Sequence, residues 1–141
     1  MKRTAQAVWS GDLKTGNGAI SVQSGVIKDS PYTFKARFED ESGKSATNPE
    51  ELIAAAHASC FTMQLSHFLA EAGHPAEKLT TLAEVEVKPG VGITSSALTL
   101  TGKVPGMSAA DFSAAADKAK AGCPVSKALA AIEITLEAKL E

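Results

Sequence analysis

An α+β fold is predicted, with a mostly antiparallel sheet packed on a central, buried helix, and three observations predict it. Short segments of alternating apolar and polar residues, punctuated by Gly- and Pro-containing turns, recur on both sides of the chain's middle, as antiparallel strands joined by hairpins require. Between them, residues 52–70 carry no Lys, Arg, Asp or Glu and are rich in alanine. The order of elements is three strands, a helix, two strands, two helices and a last strand. It lacks the regular strand–helix alternation of a parallel sheet. A chain of 141 residues is expected to form one domain, 1–141, and to bury a usable core without disulfide staples.

Taken in order, Ala7-Val8-Trp9 and Ile20-Ser21-Val22 read as strands. Asn17-Gly18 lies between them, and both of its residues tolerate positive φ, which predicts the hairpin turn there. Pro31 opens a third run, in which Phe34, Ala36 and Phe38 alternate with Lys35, Arg37 and Glu39. Read as a strand, that run turns Arg37 away from the face the other three cover. Residues 39–46 are polar and contain Gly43, so they form a loop.

Asn48-Pro49-Glu50-Glu51 then opens the long helix. Asn48 suits the N-cap, Pro49 suits the first helical position, and Glu51 can reach back to the Asn48 N–H as a capping box. The helix should run to about Ala72 and stop at Gly73. Ala83, Val85 and Val87 alternate with Glu84, Glu86 and Lys88, and Pro89-Gly90-Val91-Gly92 turns the chain into a second strand from Ile93 to about Val104. Pro105-Gly106 breaks that strand. Ser108-x-x-Asp111 opens a second helix, to about Ala121 before Gly122, and Cys123-Pro124 restarts a short third one. A final strand shows Ile132, Ile134, Leu136, Ala138 and Leu140 against Glu133, Thr135, Glu137 and Lys139.

The uncharged stretch 52–70 is about the length of a bilayer span. His57, Ser59, Thr62, Gln64, Ser66 and His67 interrupt it, and a helix apolar on most sides also serves as the centre of a soluble protein. Such a helix has more apolar surface than one small sheet can cover, so a homodimer is expected with this helix near its interface. A net charge of −2 supplies no basic field for nucleic acid. No apolar signal core follows Lys2 and Arg3, so a cytoplasmic location is expected, where thiols stay reduced. The two cysteines are then not read as a structural staple.

Cys123 carries the clearest local signal. With Pro124 as the first helical residue it sits at an N-cap, where free N–H groups and the helix dipole favour a thiolate. The alternative is a small residue in a helix–helix turn, and the functional thiol is the preferred reading. Cys60 lies mid-helix, where a free cysteine commonly behaves as a small buried hydrophobe, and a second tuned thiol in the chain strengthens the functional reading. His57 is one turn before Cys60 on the same face and could serve it as a base, although a hydrogen-bonded core or interface histidine is the preferred reading. Zinc binding by Cys60, Cys123 and His57 is a weak signal, because no close-set pair of ligands exists. Glu50 lies about 15 Å along the helix from Cys60, too far to touch it on the same chain, but crossing helices of a dimer could bring the two together. Arg37 is either an ordinary strand arginine or a guanidinium that stabilises the Cys60 thiolate and orients a peroxide oxygen. Trp9, Phe61, Met63, Phe68 and Phe112 read as core.

Several motifs carry a family resemblance: Trp9-Ser10-Gly11-Asp12, Pro31-Tyr32-Thr33-Phe34 with Arg37-Phe38-Glu39, Thr47-Asn48-Pro49-Glu50-Glu51-Leu52-Ile53, Ala55-Ala56-His57-Ala58-Ser59-Cys60-Phe61, and Lys118-Ala119-Lys120-Ala121-Gly122-Cys123-Pro124-Val125-Ser126. On these the chain resembles the OsmC/Ohr family, and within it the OsmC (osmotically inducible protein C) branch, over nearly its whole length. The resemblance implies an intertwined α+β homodimer in which each sheet wraps a central helix and two active sites lie at the interface. It implies peroxidase activity, with organic hydroperoxides preferred. Cys60 would be the peroxidatic thiolate and Cys123 the partner that closes a disulfide. Arg37 matches the thiolate-stabilising arginine and Glu50 its carboxylate partner. His57 marks this branch, since tyrosine is usual at that place in the organic-hydroperoxide-resistance branch. No cofactor or metal is implied beyond an external dithiol reductant, and neither nucleic acid nor a membrane is expected as partner. Two rival readings remain on the same fold: a non-catalytic binder of a small apolar ligand, and a redox sensor whose disulfide signals to a partner.

Overall fold

In the computed structural model, which describes residues 1–141, β1 (Ala5–Ser10) and β2 (Asn17–Val22) pair antiparallel with Ala7 opposite Ile20. The strands pair as their alternation predicts, but the turn is not at Asn17-Gly18. Residues 11–16 make it instead. The Asp12 carboxylate accepts the N–H groups of Lys14 and Thr15 at 2.9 and 3.0 Å, and the Asp12 carbonyl accepts the Gly16 N–H at 2.9 Å. An aspartate side chain that bonds its own following backbone supplies a turn, and here it displaces the turn expected at Asn17-Gly18. Asn17 and Gly18 become the first residues of β2. Gly18 is required for space: a Cβ there would lie 2.4 Å from the ring of Tyr32, which packs on Trp9 with ring centroids 5.2 Å apart.

The third strand, β3, is only Ser30–Tyr32, and it pairs antiparallel with β2. Phe34–Phe38 is a short helix, α1, and not the strand that its alternation suggests. Thr33 decides this. Its hydroxyl accepts the Ala36 N–H at 3.0 Å and its carbonyl accepts the Arg37 N–H at 3.1 Å, so an N-cap overrides a period of two read over five residues. Phe34 and Phe38 then share a helix face, with ring centroids 5.0 Å apart, while Ala36 is buried. The loop of residues 39–46 follows as expected. The Ser42 hydroxyl and the N–H groups of Ser42 and Ser45 converge on Asp40, and these bonds, led by that hydroxyl and the Ser45 side chain, hold its carboxyl well below the usual carboxylate range.

These elements form the first of two compact units, Met1–Pro49; the second is Glu50–Glu141. The strands form two separate three-stranded sheets, not one sheet: β1-β2-β3 in the first unit and β4-β5-β6 in the second.

The long helix, α2, is Pro49–Glu71, opening at Pro49 as predicted. It ends where Gly73 takes φ +80°; the His74 N–H reaches the Leu69 carbonyl at 2.9 Å and the Gly73 N–H the Ala70 carbonyl at 3.0 Å. That pair of bonds is a Schellman motif, which satisfies carbonyls a helix end would otherwise orphan. His57, Phe61, Leu65 and Leu69 recur every four residues and are fully buried, while Met63 is 74% exposed. Within one chain α2 is therefore covered on one side only, which leaves the apolar surface that one small sheet cannot cover.

β4 (Lys78–Lys88) and β5 (Gly92–Lys103) pair antiparallel, and β6 (Glu133–Leu140) pairs with β5 in parallel. The parallel pair follows from the connection. α3 (Ala109–Gly122) and α4 (Pro124–Ala128) make a crossover, which returns the chain running the same way as β5. The Ser108 hydroxyl caps α3 by accepting the Asp111 N–H at 3.1 Å. β5 lies between its neighbours and buries Ser96, Leu98 and Leu100 in a core with Phe61, Leu65, Leu69, Phe112, Ala116 and Ala119. Each large apolar side chain buried in this way contributes roughly 1.5–3 kcal/mol. No helix is long and apolar enough to cross a membrane.

Candidate active site

Two elements of the second unit meet around the two cysteines. α2 presents His57 and Cys60 one turn apart, on the side that carries buried Phe61. The α3–α4 junction presents Cys123, which is at once the C-cap of α3 and the N-cap of α4. Its N–H bonds the Ala119 carbonyl at 2.9 Å and its own carbonyl accepts the Lys127 N–H at 3.0 Å, so its backbone is held from both sides. Pro124 forces this break, because it has no N–H to continue α3 and its fixed φ starts a new helix.

The fold brings the Cys60 and Cys123 side chains into direct interaction, and both are free thiols. Cys60 is half-buried, whereas Cys123 has no exposed surface. Their environments push them in opposite directions. Burial pushes the Cys60 thiol up, the Val125 N–H opposes this without overcoming it, and the neighbouring Cys123 raises it further. Burial also acts against ionisation of Cys123. It is outweighed by the Ser126 N–H, the Cys60 thiol, the Ser126 hydroxyl and the Val125 N–H, which together hold Cys123 below the ordinary thiol range. α4 has only five residues, so the effect comes from the N–H and O–H dipoles of its first turn and not from the macrodipole of a long helix.

His57 is fully buried and both of its ring nitrogens are engaged: Nδ1 lies 2.7 Å from Ser96 Oγ and Nε2 lies 2.8 Å from Ser126 Oγ. Burial lowers its pKa, which keeps the ring neutral. It is thus a hydrogen-bonded core histidine, the preferred reading of the sequence. With both nitrogens bonded to serines, it has no lone pair to spare for zinc, and no group of three or more His, Cys, Asp or Glu side chains is placed to hold a metal ion. Ser126 belongs to a motif visible in the sequence, but Ser96 is a residue that sequence reasoning missed. It shares its strand face with Leu98 and Leu100, and a lone polar residue on an apolar face was the signal that marked it.

Glu50 is in the first turn of α2 and is buried, 7% exposed, while Glu51 beside it is exposed. Arg37 is on α1 in the first unit, with its guanidinium 4.8 Å from the centre of the Phe38 ring. Trp9, Leu13, Tyr32, Phe34, Phe38 and Arg37 line a cavity of about 260 Å³ within that unit. It is an apolar, aromatic pocket with one cation at its wall.

Against known proteins, residues 41–137 match the family described as OsmC-like protein. The chain is 49% identical over 142 residues to Peroxiredoxin OsmC of Escherichia coli (strain K12), covering 99% of this chain and 96% of that one. It is 35% identical over 101 residues to the organic hydroperoxide resistance protein of Xanthomonas axonopodis pv. citri (strain 306), covering 67% and 68% of the two chains. Among solved structures, the OsmC like protein from Mycoplasma pneumoniae matches with a TM-score of 0.75 at 13% identity, over 99% of this chain and 97% of that one, a likeness of fold.

Proposed function

The chain belongs to the OsmC-like protein family, and on that premise we propose that it is a thiol peroxidase that reduces organic hydroperoxides through Cys60 and Cys123. The observation that carries this reading is the meeting of the only two cysteines, from the middle of α2 and from the α3–α4 junction, in one site. Cys60, the more accessible of the two, is the nucleophile. Its thiolate attacks the distal peroxide oxygen, the O–O bond breaks, and the alkoxide leaves as the alcohol once protonated. Cys60 is left as a sulfenic acid, which Cys123 converts to a disulfide before it can oxidise further. An external dithiol restores both thiols, and no cofactor takes part.

Because burial raises the Cys60 thiol, its reactivity needs a positive charge nearby. Arg37 is the residue proposed for that role in the assembled protein, with Glu50 orienting its guanidinium as a bidentate partner. The assembled protein is a cytoplasmic homodimer. The exposed side of α2, with Met63, and the exposed Val8, Leu13 and Val26 of the first unit support this, because such apolar surface is usually covered.

The test is a dithiol-coupled assay of tert-butyl hydroperoxide, cumene hydroperoxide and hydrogen peroxide on the wild type and on Cys60→Ser. The two organic substrates should be consumed faster than hydrogen peroxide, and Cys60→Ser should lose all three activities. Near-wild-type turnover in that variant would sink the assignment. Non-reducing peptide mapping after one equivalent of peroxide should find a Cys60–Cys123 link within one chain.

A further inference from the structure

The one buried titratable side chain that the peroxidase reading leaves without a task is His57. It is not isolated: it bridges Ser96 on β5 to Ser126 on α4 by two short hydrogen bonds, at 2.7 and 2.8 Å, and all three residues are buried. Ser126 is three residues after Cys123 in the first turn of α4, where an N-cap side chain and the residue three further on are neighbours. We infer that His57 and Ser126 are positioning residues for Cys123: the His57 ring, protonated on Nε2 and anchored at Nδ1 by the Ser96 hydroxyl, donates to Ser126 Oγ and so turns the Ser126 O–H onto the Cys123 sulfur.

This relay rests on the peroxidase reading and serves its second step. A neutral imidazole has one N–H, and a hydroxyl has one proton to give, so the direction of donation along the chain is all or none. With the proton on Nε2, every donor points toward Cys123: Ser96 to His57, His57 to Ser126, Ser126 to sulfur. With it on Nδ1, Ser126 must donate to the ring, and nothing remains for the sulfur. The Ser126 hydroxyl is a hydrogen-bond partner of the Cys123 side chain that favours its thiolate, and the first arrangement is the one that leaves this hydroxyl free to donate to sulfur. A doubly protonated ring would also donate to Ser96, but burial disfavours that charge. The Cys123 thiolate then attacks the sulfur of the Cys60 sulfenic acid. The S–S bond forms, the S–O bond breaks, and hydroxide leaves and becomes water with a proton from solvent. The relay keeps a wholly buried thiol ionised for that attack, and the peroxide step on Cys60 does not need it.

Two measurements test the inference. The first uses the unmodified protein: nitrogen NMR of the reduced, histidine-labelled chain should find His57 as the neutral Nε2–H tautomer, and an Nδ1–H ring would overturn the relay. This holds even if variants fold poorly. The second mixes one equivalent of cumene hydroperoxide with the wild type, Ser126→Ala, His57→Leu and His57→Gln, and follows peroxide loss and disulfide formation separately. Disulfide formation should slow roughly tenfold in Ser126→Ala, the loss of about one hydrogen bond to a charged group. It should slow more than peroxide loss, and its pH profile should move to higher pH. His57→Gln, whose amide N–H can still donate to Ser126, should recover part of what His57→Leu loses. If the wild type consumes peroxide and forms its disulfide, and Ser126→Ala does so with the same rate and pH profile, the relay is wrong and the peroxidase stands. If the wild type does neither, the peroxidase reading fails and the relay falls with it.

Discussion

The two units of the chain solve the burial problem differently. Residues 50–141 assemble a core in which Phe61, Leu65, Leu69, Leu98, Leu100 and Phe112 are essentially inaccessible to solvent. Residues 1–49 contribute a single buried apolar side chain, Ala36, and leave Val8, Leu13, Val26 and Phe38 exposed. The first unit is held instead by local chemistry: the Asp12 turn, the Thr33 cap, the Asp40 loop, and the Trp9–Tyr32 and Phe34–Phe38 ring contacts. Packing cores are rigid and intolerant of change, whereas locally bonded, exposed segments tolerate it. The thiol pair is in the first kind of setting and the Arg37 pocket in the second. Cys60 and Cys123 are thus fixed in place, while Arg37 and the aromatic pocket belong to a more open sheet.

The contrast can be broken or sharpened by substitution. The largest effect is expected for Cys60→Ser, which should lower peroxidase turnover by about three orders of magnitude or more with the fold kept, as the circular dichroism of the variant would show. Phe61→Ala, in the core of the second unit, should cost about 3–5 kcal/mol in urea unfolding. Equal tolerance of this change and of exposed substitutions would erase the distinction between the units. Arg37→Ala should leave stability nearly unchanged but raise the Cys60 pKa by about one to three units, read from the pH dependence of Cys60 alkylation in a Cys123→Ser background. An unmoved titration would return Arg37 to an ordinary surface role.

Smaller effects should follow elsewhere. Gly18→Ala forces a Cβ against the Tyr32 ring and should destabilise by about 1–3 kcal/mol, one of the few tight sites in the first unit. Burial depresses the His57 pKa, so below the unfolded value of about 6.5 the unfolded chain binds a proton that the native chain does not. Its contribution to stability is therefore full above that pH and is lost as pH falls toward the folded value. His57→Gln should show a shallower acid limb in unfolding measured across that range. The least effect is expected for Val26→Ser, within about 0.5 kcal/mol for the single chain. A clear rise in the dimer dissociation constant, by sedimentation at low concentration, would mean that a second copy covers this surface.

Periodicity and end signals carried most of the regular elements. Pro49 and Gly73 bound α2, Ser108-x-x-Asp111 opens α3, and Cys123-Pro124 divides α3 from α4, because caps and breakers act through the backbone of their own few residues. The same locality explains the errors. Asn17-Gly18 and the Phe34, Ala36, Phe38 alternation are short signals, and a stronger one within a few residues overrode each: the Asp12 side chain in the first case and the Thr33 cap in the second. The parallel pairing of β6 with β5, and the division of the strands into two sheets, depend on where crossovers return the chain.

By itself, then, the sequence determined the thiols, the helix that carries Cys60, the N-cap position of Cys123 and the family pattern, all of which are properties of residue type and near neighbours. Only the tertiary structure decided that the two sulfurs meet, that the Ser126 hydroxyl and the Cys60 thiol join in favouring ionisation of Cys123, and that His57 joins Ser96 to Ser126. Those facts compare groups on α2, β5 and the α3–α4 junction. No spacing along the chain encodes such a distance; it exists only after apolar burial has packed the elements together.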